Sequence, residues 1–220
     1  MRFQDASPDA RSVVYAGIQA DPLVARLAAL LTVASPAQCI LARAVMNGQR
    51  TEPAVWRAMV PTCFPDAHSE AILAASLEVA ERGEQVRSQF RGAVVEAVTQ
   101  ALLQGRPARS APGVVRRERR ILFDGVRAEI HPYDVTVEVT GAAEAYDCKW
   151  GARGINADVL YQLDDARTHA AEEEEPLSVA LVVFDSALAA EVRLDRQTAP
   201  HELIRLVTIE TLRTLGARPS

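Results

Sequence analysis

Apolar residues recur at helical spacing through the first third of the chain. The run 23–35, LVARLAALLTVAS, gathers Leu, Val and Ala on one face, and Ser35-Pro36 stops that helix and starts another. Residues 37–48 read as the second helix, closed by Asn47-Gly48. Glu52 and Pro53 open a third, apolar at Ala54, Val55, Ala58 and Met59, with Pro61 expected to end it. A fourth covers 69–83, with Ser69 as its N-cap and Gly83 as its stop. Residues 1–83 are therefore expected to be helical throughout, with Met46, Trp56 and Met59 in the core. They hold no cluster of acids, bases or metal ligands.

The pattern changes at residue 84. A long helix is predicted over 84–105, with Phe90, Val94, Val98 and Leu102 on one side and Gly105 and Pro107 ending it. Strands follow at 114–123, 126–130, 133–139 and 144–150, with Asp124-Gly125 as a hairpin turn and a break at His131-Pro132. Residues 155–173 are helical. The stretch 177–184, LSVALVVF, is apolar without interruption, the mark of a strand buried on both faces. Residues 201–216 are expected to close the chain as an amphipathic helix. The order predicts an α/β protein: an N-terminal α-helical region over 1–83 that binds a partner or dimerises, then a sheet-containing domain over 84–220.

Composition narrows the class. The formal charge is 24 − 29 = −5, and no apolar stretch approaches the ~20 residues needed to cross a bilayer. The first residues, MRFQDASPDARS, lack the basic-then-apolar pattern of a secretory signal. Cys39, Cys63 and Cys148 form neither a zinc pair nor a disulfide framework. These features predict a cytoplasmic protein without membrane association. The acidic balance argues against coating nucleic acid by charge alone. Yet Arg106, Arg109, Arg116, Arg117, Arg119 and Arg120 fall within fifteen residues, followed by Arg127. They read as a phosphate-contacting patch or as the wet face of an edge strand. Of the 24 basic residues, only Lys149 is lysine. Such a chain points to one position that needs a compact ammonium rather than a planar guanidinium.

Around that lysine the strand alternation places Asp147 and Lys149 on one face, with Cys148 on the other. Asp134, Thr136 and Glu138 share a face on the preceding strand. Two acids and a lysine at one hairpin edge suit a hard divalent cation and an adjacent donor for phosphate chemistry. The plainer readings are a strand start at Asp134 and a surface ion pair at Asp147 and Lys149.

Pro132-Tyr133-Asp134, twelve intervening residues and Asp147-Cys148-Lys149 resemble the signature of the PD-(D/E)xK nuclease superfamily. The superfamily has the restriction-endonuclease-like fold, an αβββαβ core with a central mixed sheet, and the element order here is similar to it. Its first-helix glutamate, in a glycine-containing stretch, corresponds to Glu96 in the segment Phe90 to Glu96. Its helix glutamine corresponds to Gln162. Tyr133 departs from the pattern by separating Pro132 from Asp134. Ala166 stands where some branches have tyrosine. The resemblance covers roughly residues 84–190. It implies that Asp134, Asp147 and Glu96 hold Mg²⁺ or Mn²⁺, that Lys149 positions the attacking water, and that Gln162 lies near the site. Arg116, Arg117, Arg119 and Arg120 would then contact nucleic acid, DNA foremost, in a restriction or antiviral defence system. The protein would act as a homodimer or as a subunit of a larger complex. The alternative it implies is a non-catalytic nuclease-fold subunit of a nucleic-acid-binding or defence complex.

Overall fold

Residues 1–6, 10–48, 52–107, 113–124, 126–127 and 131–217 are described by a computed structural model. They divide into two compact units: Asp9–Ala101, and Met1–Pro8 together with Leu102–Ser220. The division falls inside the long helix rather than at 83/84.

The first unit is helical: α1 (Ala10–Gln19), α2 (Pro22–Thr32), α3 (Pro36–Asn47), α4 (Pro53–Cys63), α5 (Ala67–Ala80) and most of α6 (Glu84–Gln104). Its helix starts are fixed by side chains that take up orphan N–H groups. Asp21 accepts from Leu23 N–H, and Ser35 and Gln38 form a reciprocal capping box at α3. Gly48 closes α3 with φ 57°, a left-handed conformation that glycine adopts without strain. The cap of α5 is Asp66, not Ser69: Asp66 Oδ1 accepts from Ser69 N–H at 2.8 Å, so α5 begins two residues before the expected start. Pro61 does not end α4, which continues to Cys63. It lies in the last, exposed turn, where the missing N–H deprives only one carbonyl. Leu41, Val45, Val60, Leu73 and Leu77 form one core cluster, with Trp56 and Phe64 packed against it. Each such aliphatic side chain contributes about 1.5–3 kcal/mol on burial. Met46 is buried as expected, whereas Met59 is largely exposed.

The second unit is a mixed sheet with strand order β1-β2-β4-β5-β6-β7, and β3 pairs with β2. Its strands are β1 (Arg2–Asp5), β2 (Val114–Phe123), β3 (Val126–Arg127), β4 (Tyr133–Val139), β5 (Ala142–Lys149), β6 (Leu177–Val183) and β7 (Arg205–Val207). The β1, β2, β4 and β5 neighbours are antiparallel; β5–β6 and β6–β7 are parallel. The crossover from β5 to β6 is α7 (Ala157–Glu172), capped by Asn156. Leu160, Leu163, Ala166 and Ala170 of α7 share a buried cluster with Val179, Leu181 and Val183 of β6. The short helix α8 (Ala187–Leu194) follows β6.

Two expectations fail here. Residues 1–83 are not wholly helical, because β1 adds to the edge of β2 with Arg2 opposite Leu122 and Asp5 opposite Arg119. Main-chain pairing to an existing edge makes this strand, and four residues are too few to show a period. The closing helix over 201–216 is also absent. Arg205–Val207 pair with Ala180–Val182 of β6, and a 3₁₀ turn spans Leu212–Gly216. The open edge of β6 overrides the local helical pattern. Arg109, Gly125 and residues 128–130 of the expected third strand lie outside the described residues.

Candidate active site

The site candidates of the sheet unit gather where the β4–β5 ladder stops. Pairing runs from Val139 opposite Ala142 to Val135 opposite Tyr146. Beyond that point, Cys148 N–H donates to Asp134 Oδ2 at 2.6 Å. The Asp134 side chain takes the place of a main-chain acceptor, which holds this carboxylate beside the end of β5.

Asp147 is buried and pairs with Lys149, whose Nζ lies 2.5 Å from Asp147 Oδ1. The Lys149 side chain keeps 24% of its surface exposed, so the ammonium sits at the boundary of the protein. Burial works against its charge, but Asp147 and then Asp134 outweigh burial and raise its pKa above the ordinary 10.5. Asp134, Asp147 and Lys149 are thus one electrostatic group, on the faces the alternation predicted for the last two.

Glu118 is the residue that sequence reasoning missed. It lies in β2 between Arg117, opposite Val135, and Arg119, opposite Tyr133, which sets it across from Asp134. The carboxylate oxygens of Glu118 and Asp134 come within 4.8 Å of each other. Glu118 has φ 52°, a left-handed conformation rare for a non-glycine residue and costly inside a strand. Its only signal in the sequence is a lone acid within the stretch RRERR.

Other candidates have different surroundings. Arg119 is buried: its Nε donates to Glu138 Oε1 at 2.7 Å, and its Nη1 pairs with Asp5. It is therefore not on offer to phosphate. Glu138, the spare acid, is taken by Arg119 and by the Thr136 hydroxyl at 3.2 Å. Arg116 is exposed, and Arg117 and Arg120 are half-buried. Arg106 turns inward, donating to Glu144 at 2.7 Å, to the Tyr146 hydroxyl at 3.0 Å and to the Leu215 carbonyl at 2.6 Å. Arg205 donates to the same hydroxyl at 3.0 Å. Burial, then the Glu144 charge, pushes Tyr146 up to about 12.

Gln162 is buried in α7, and its amide is held by main chain. Its Oε1 accepts from His131 N–H at 3.2 Å, and its Nε2 donates to the His131 carbonyl at 3.0 Å. The Tyr133 hydroxyl donates to the Gln162 carbonyl at 3.2 Å. Gln162 thereby fixes the approach to β4 and, one residue beyond Tyr133, Asp134. Glu96 belongs to the helical unit. Its buried carboxylate accepts from the Tyr15 hydroxyl and from Gln19 Nε2 at 2.7 Å, both on α1. Gly92, one turn earlier on α6, leaves room for that ring: a Cβ there would lie 2.9 Å from the Tyr15 oxygen.

No family model matches the sequence, and no curated protein matches it. Among solved structures, the chain is similar to the crystal structure of protein VC1899 from Vibrio cholerae, with 15% identity and a TM-score of 0.49. The match covers 98% of this chain and 56% of that one, so the chain spans little more than half of that protein's length. Among the described residues, no single helix is long and apolar enough to cross a membrane.

Proposed function

We propose that this protein is a metal-dependent nuclease of the PD-(D/E)xK class, with a restriction-endonuclease-like sheet domain, and that it hydrolyses phosphodiester bonds in DNA. The observation that carries this reading is the joint placement of Asp134, Asp147 and Lys149 where β4 and β5 part. The donor set fits Mg²⁺ or Mn²⁺: it consists of hard carboxylate oxygens, with Glu118 close to Asp134. A divalent cation between two neighbouring carboxylates would offset their mutual repulsion.

In this reading Asp134 and Asp147 hold the cation, and Glu118 adds a third acid. A divalent cation, when bound, supplies positive charge against the phosphate oxygens. Lys149 stays protonated at neutral pH, because its neighbours raise its pKa. It therefore acts as a donor that orients the attacking water and stabilises charge at phosphorus, not as the base. Arg116, Arg117 and Arg120 remain as phosphate contacts. A restriction or antiviral defence setting in the cytoplasm, as a homodimer or within a larger complex, suits a nuclease module coupled to a helical unit.

The test is Mn²⁺ binding and plasmid cleavage by wild type and Asp147→Asn. Wild type should bind the metal and cut DNA, with EDTA abolishing cleavage, and Asp147→Asn should lose both. Absence of metal binding by wild type would sink the reading. One observation favours the non-catalytic alternative: Asp134 and Asp147 already have protein partners in Cys148 N–H and Lys149. DNA binding without cleavage under every divalent metal would select it.

A further inference from the structure

Beyond Lys149, β5 does not run on into a free loop. Phe184 N–H donates to the Lys149 carbonyl at 2.8 Å, and the Trp150 and Phe184 rings stack with centroids 5.1 Å apart. A single 3₁₀ turn, Ala152–Gly154, follows. Its first N–H, at Ala152, donates to Oδ2 of buried Asp185 at 3.1 Å, while Asp185 Oδ1 accepts from Ser186 at 3.0 Å. At its far end, Ile155 is fully buried and its carbonyl accepts from Arg193 Nε at 2.9 Å. The turn is thus fixed at both ends by groups outside it.

Gly154 has no left-handed φ, so backbone conformation does not require glycine there. Space does. A Cβ on Gly154 would lie 3.1 Å from Lys149 Cβ, 3.1 Å from its Cδ and 3.2 Å from its Cγ, all atoms of one side chain. Such distances are tighter than ordinary packing, and hydrogen bonds to Asp185 and from Arg193 tether the turn at both ends. The bare face of Gly154 is a wall against the lysine stem. The stem it meets is a flexible four-carbon chain whose ammonium pairs with Asp147.

We propose that Gly154, on the turn tied down by Asp185, is the positioning residue that holds the Lys149 ammonium against Asp147. The assignment deepens the nuclease reading, on which its catalytic consequence rests. A pre-set ammonium loses less conformational entropy when it orients a water, and small misplacements of such a group cost rate steeply.

The experiment uses the full chain and its one lysine. ¹³C,¹⁵N-lysine labelling yields a single side-chain signal, from Lys149. The signal is compared in wild type, Gly154→Ala, Asp185→Asn and Asp147→Asn, with Gly17→Ala as control. Gly17 has open space where its Cβ would go, so its replacement should leave the signal unmoved. Gly154→Ala is expected to move the signal toward its position in Asp147→Asn, in which the ion pair is broken. Asp185→Asn, which replaces one of two accepting oxygens with a donor, should move it the same way and guards against misfolding of the first variant. A wild-type signal position in a folded Gly154→Ala protein overturns the proposal. So does loss of the fold in both variants, because the turn would then serve the fold alone. In cleavage assays, Gly154→Ala should lower kcat by about tenfold with KM for DNA unchanged. It should cause no further loss in a Lys149→Ala background. If wild type never cleaves DNA, the nuclease reading fails, while the lysine signal still decides whether Gly154 positions the ammonium.

Discussion

Lys149 keeps its charge because two acids outweigh the cost of burial, and its compact ammonium differs in shape and donor geometry from a planar guanidinium. Lys149→Arg is therefore expected to retain Mn²⁺ binding but lose about 10²–10³ in cleavage rate, the usual loss when one oriented donor is removed. Plasmid cleavage with Mn²⁺ checks this, and full activity in Lys149→Arg would remove the lysine from the mechanism. On the opposite face of β5, Tyr146 predicts a pH effect on stability. Its folded pKa is raised from 10.0 to about 12, so the folded state holds the proton more tightly than the unfolded chain. That contribution is whole below pH 10 and is lost as pH rises to about 12, amounting to roughly 2–3 kcal/mol. Glu144, hydrogen-bonded to the same hydroxyl, works in the other direction. Burial raises its pKa, but Arg106 and Tyr146 outweigh burial and hold it below 4.5, so its contribution fades as pH falls through that lowered value. Tyr146→Phe should flatten the alkaline limb of a denaturation-versus-pH curve. It should cost about 1–3 kcal/mol at neutral pH, since Glu144, Arg106 and Arg205 lose a buried partner. An unchanged alkaline limb would show that Tyr146 does not set it.

Strand β2 carries two arginines of opposite meaning. Arg119 is buried between Glu138 and Asp5, so Arg119→Ala should cost about 2–4 kcal/mol by leaving Glu138 with the Thr136 hydroxyl but without its counter-charge. Arg116 is exposed, and Arg116→Ala should change stability by less than about 0.5 kcal/mol. The same change should lower the slope of DNA affinity against salt by about one phosphate contact. Thermal melts and salt titrations separate the two; a salt-slope loss confined to Arg119→Ala would reverse the assignment. From the sequence, these arginines looked alike, because alternation shows which residues share a face but not which face meets an acid. The pair Asp147 and Lys149 was legible, since strand parity alone puts them together, and so was β6 from its unbroken apolar run. Glu118 was not, because alternation along a strand does not mark which residue takes a left-handed φ. Nor was β7: Arg205–Val207 sit inside a stretch with helical periodicity and become a strand only because β6 offers an edge. The role of Gln162 was hidden in the same way, as its amide is matched to the main chain of His131, thirty-one residues away.

At the scale of the molecule, chain order and structural units do not coincide. β1, from the first residues, pairs with β2 in the sheet unit, while residues 84–101 of α6 belong to the helical unit. A cut at 83/84 therefore damages both units. It removes β1 and leaves the β2 edge open, a template for unwanted pairing. It also strips α6 of its own unit. Every residue from Ala93 to Thr99 is buried, including Val94, Val95 and Val98, and Glu96 loses Tyr15 and Gln19. An apolar helix stripped of the elements of its own unit presents hydrophobic surface to water and favours association. The fragment 84–220 is accordingly expected to aggregate or to lack a cooperative melt. A chain that joins residues 1–8 through a flexible Gly/Ser linker to residues 102–220 keeps β1 and omits the apolar segment of α6. That chain should be soluble and melt cooperatively. Circular dichroism melts and size-exclusion chromatography of the two fragments decide the matter. A soluble, cooperatively melting 84–220 fragment beside an aggregating 1–8/102–220 chain would show that the folding unit begins at residue 84 after all.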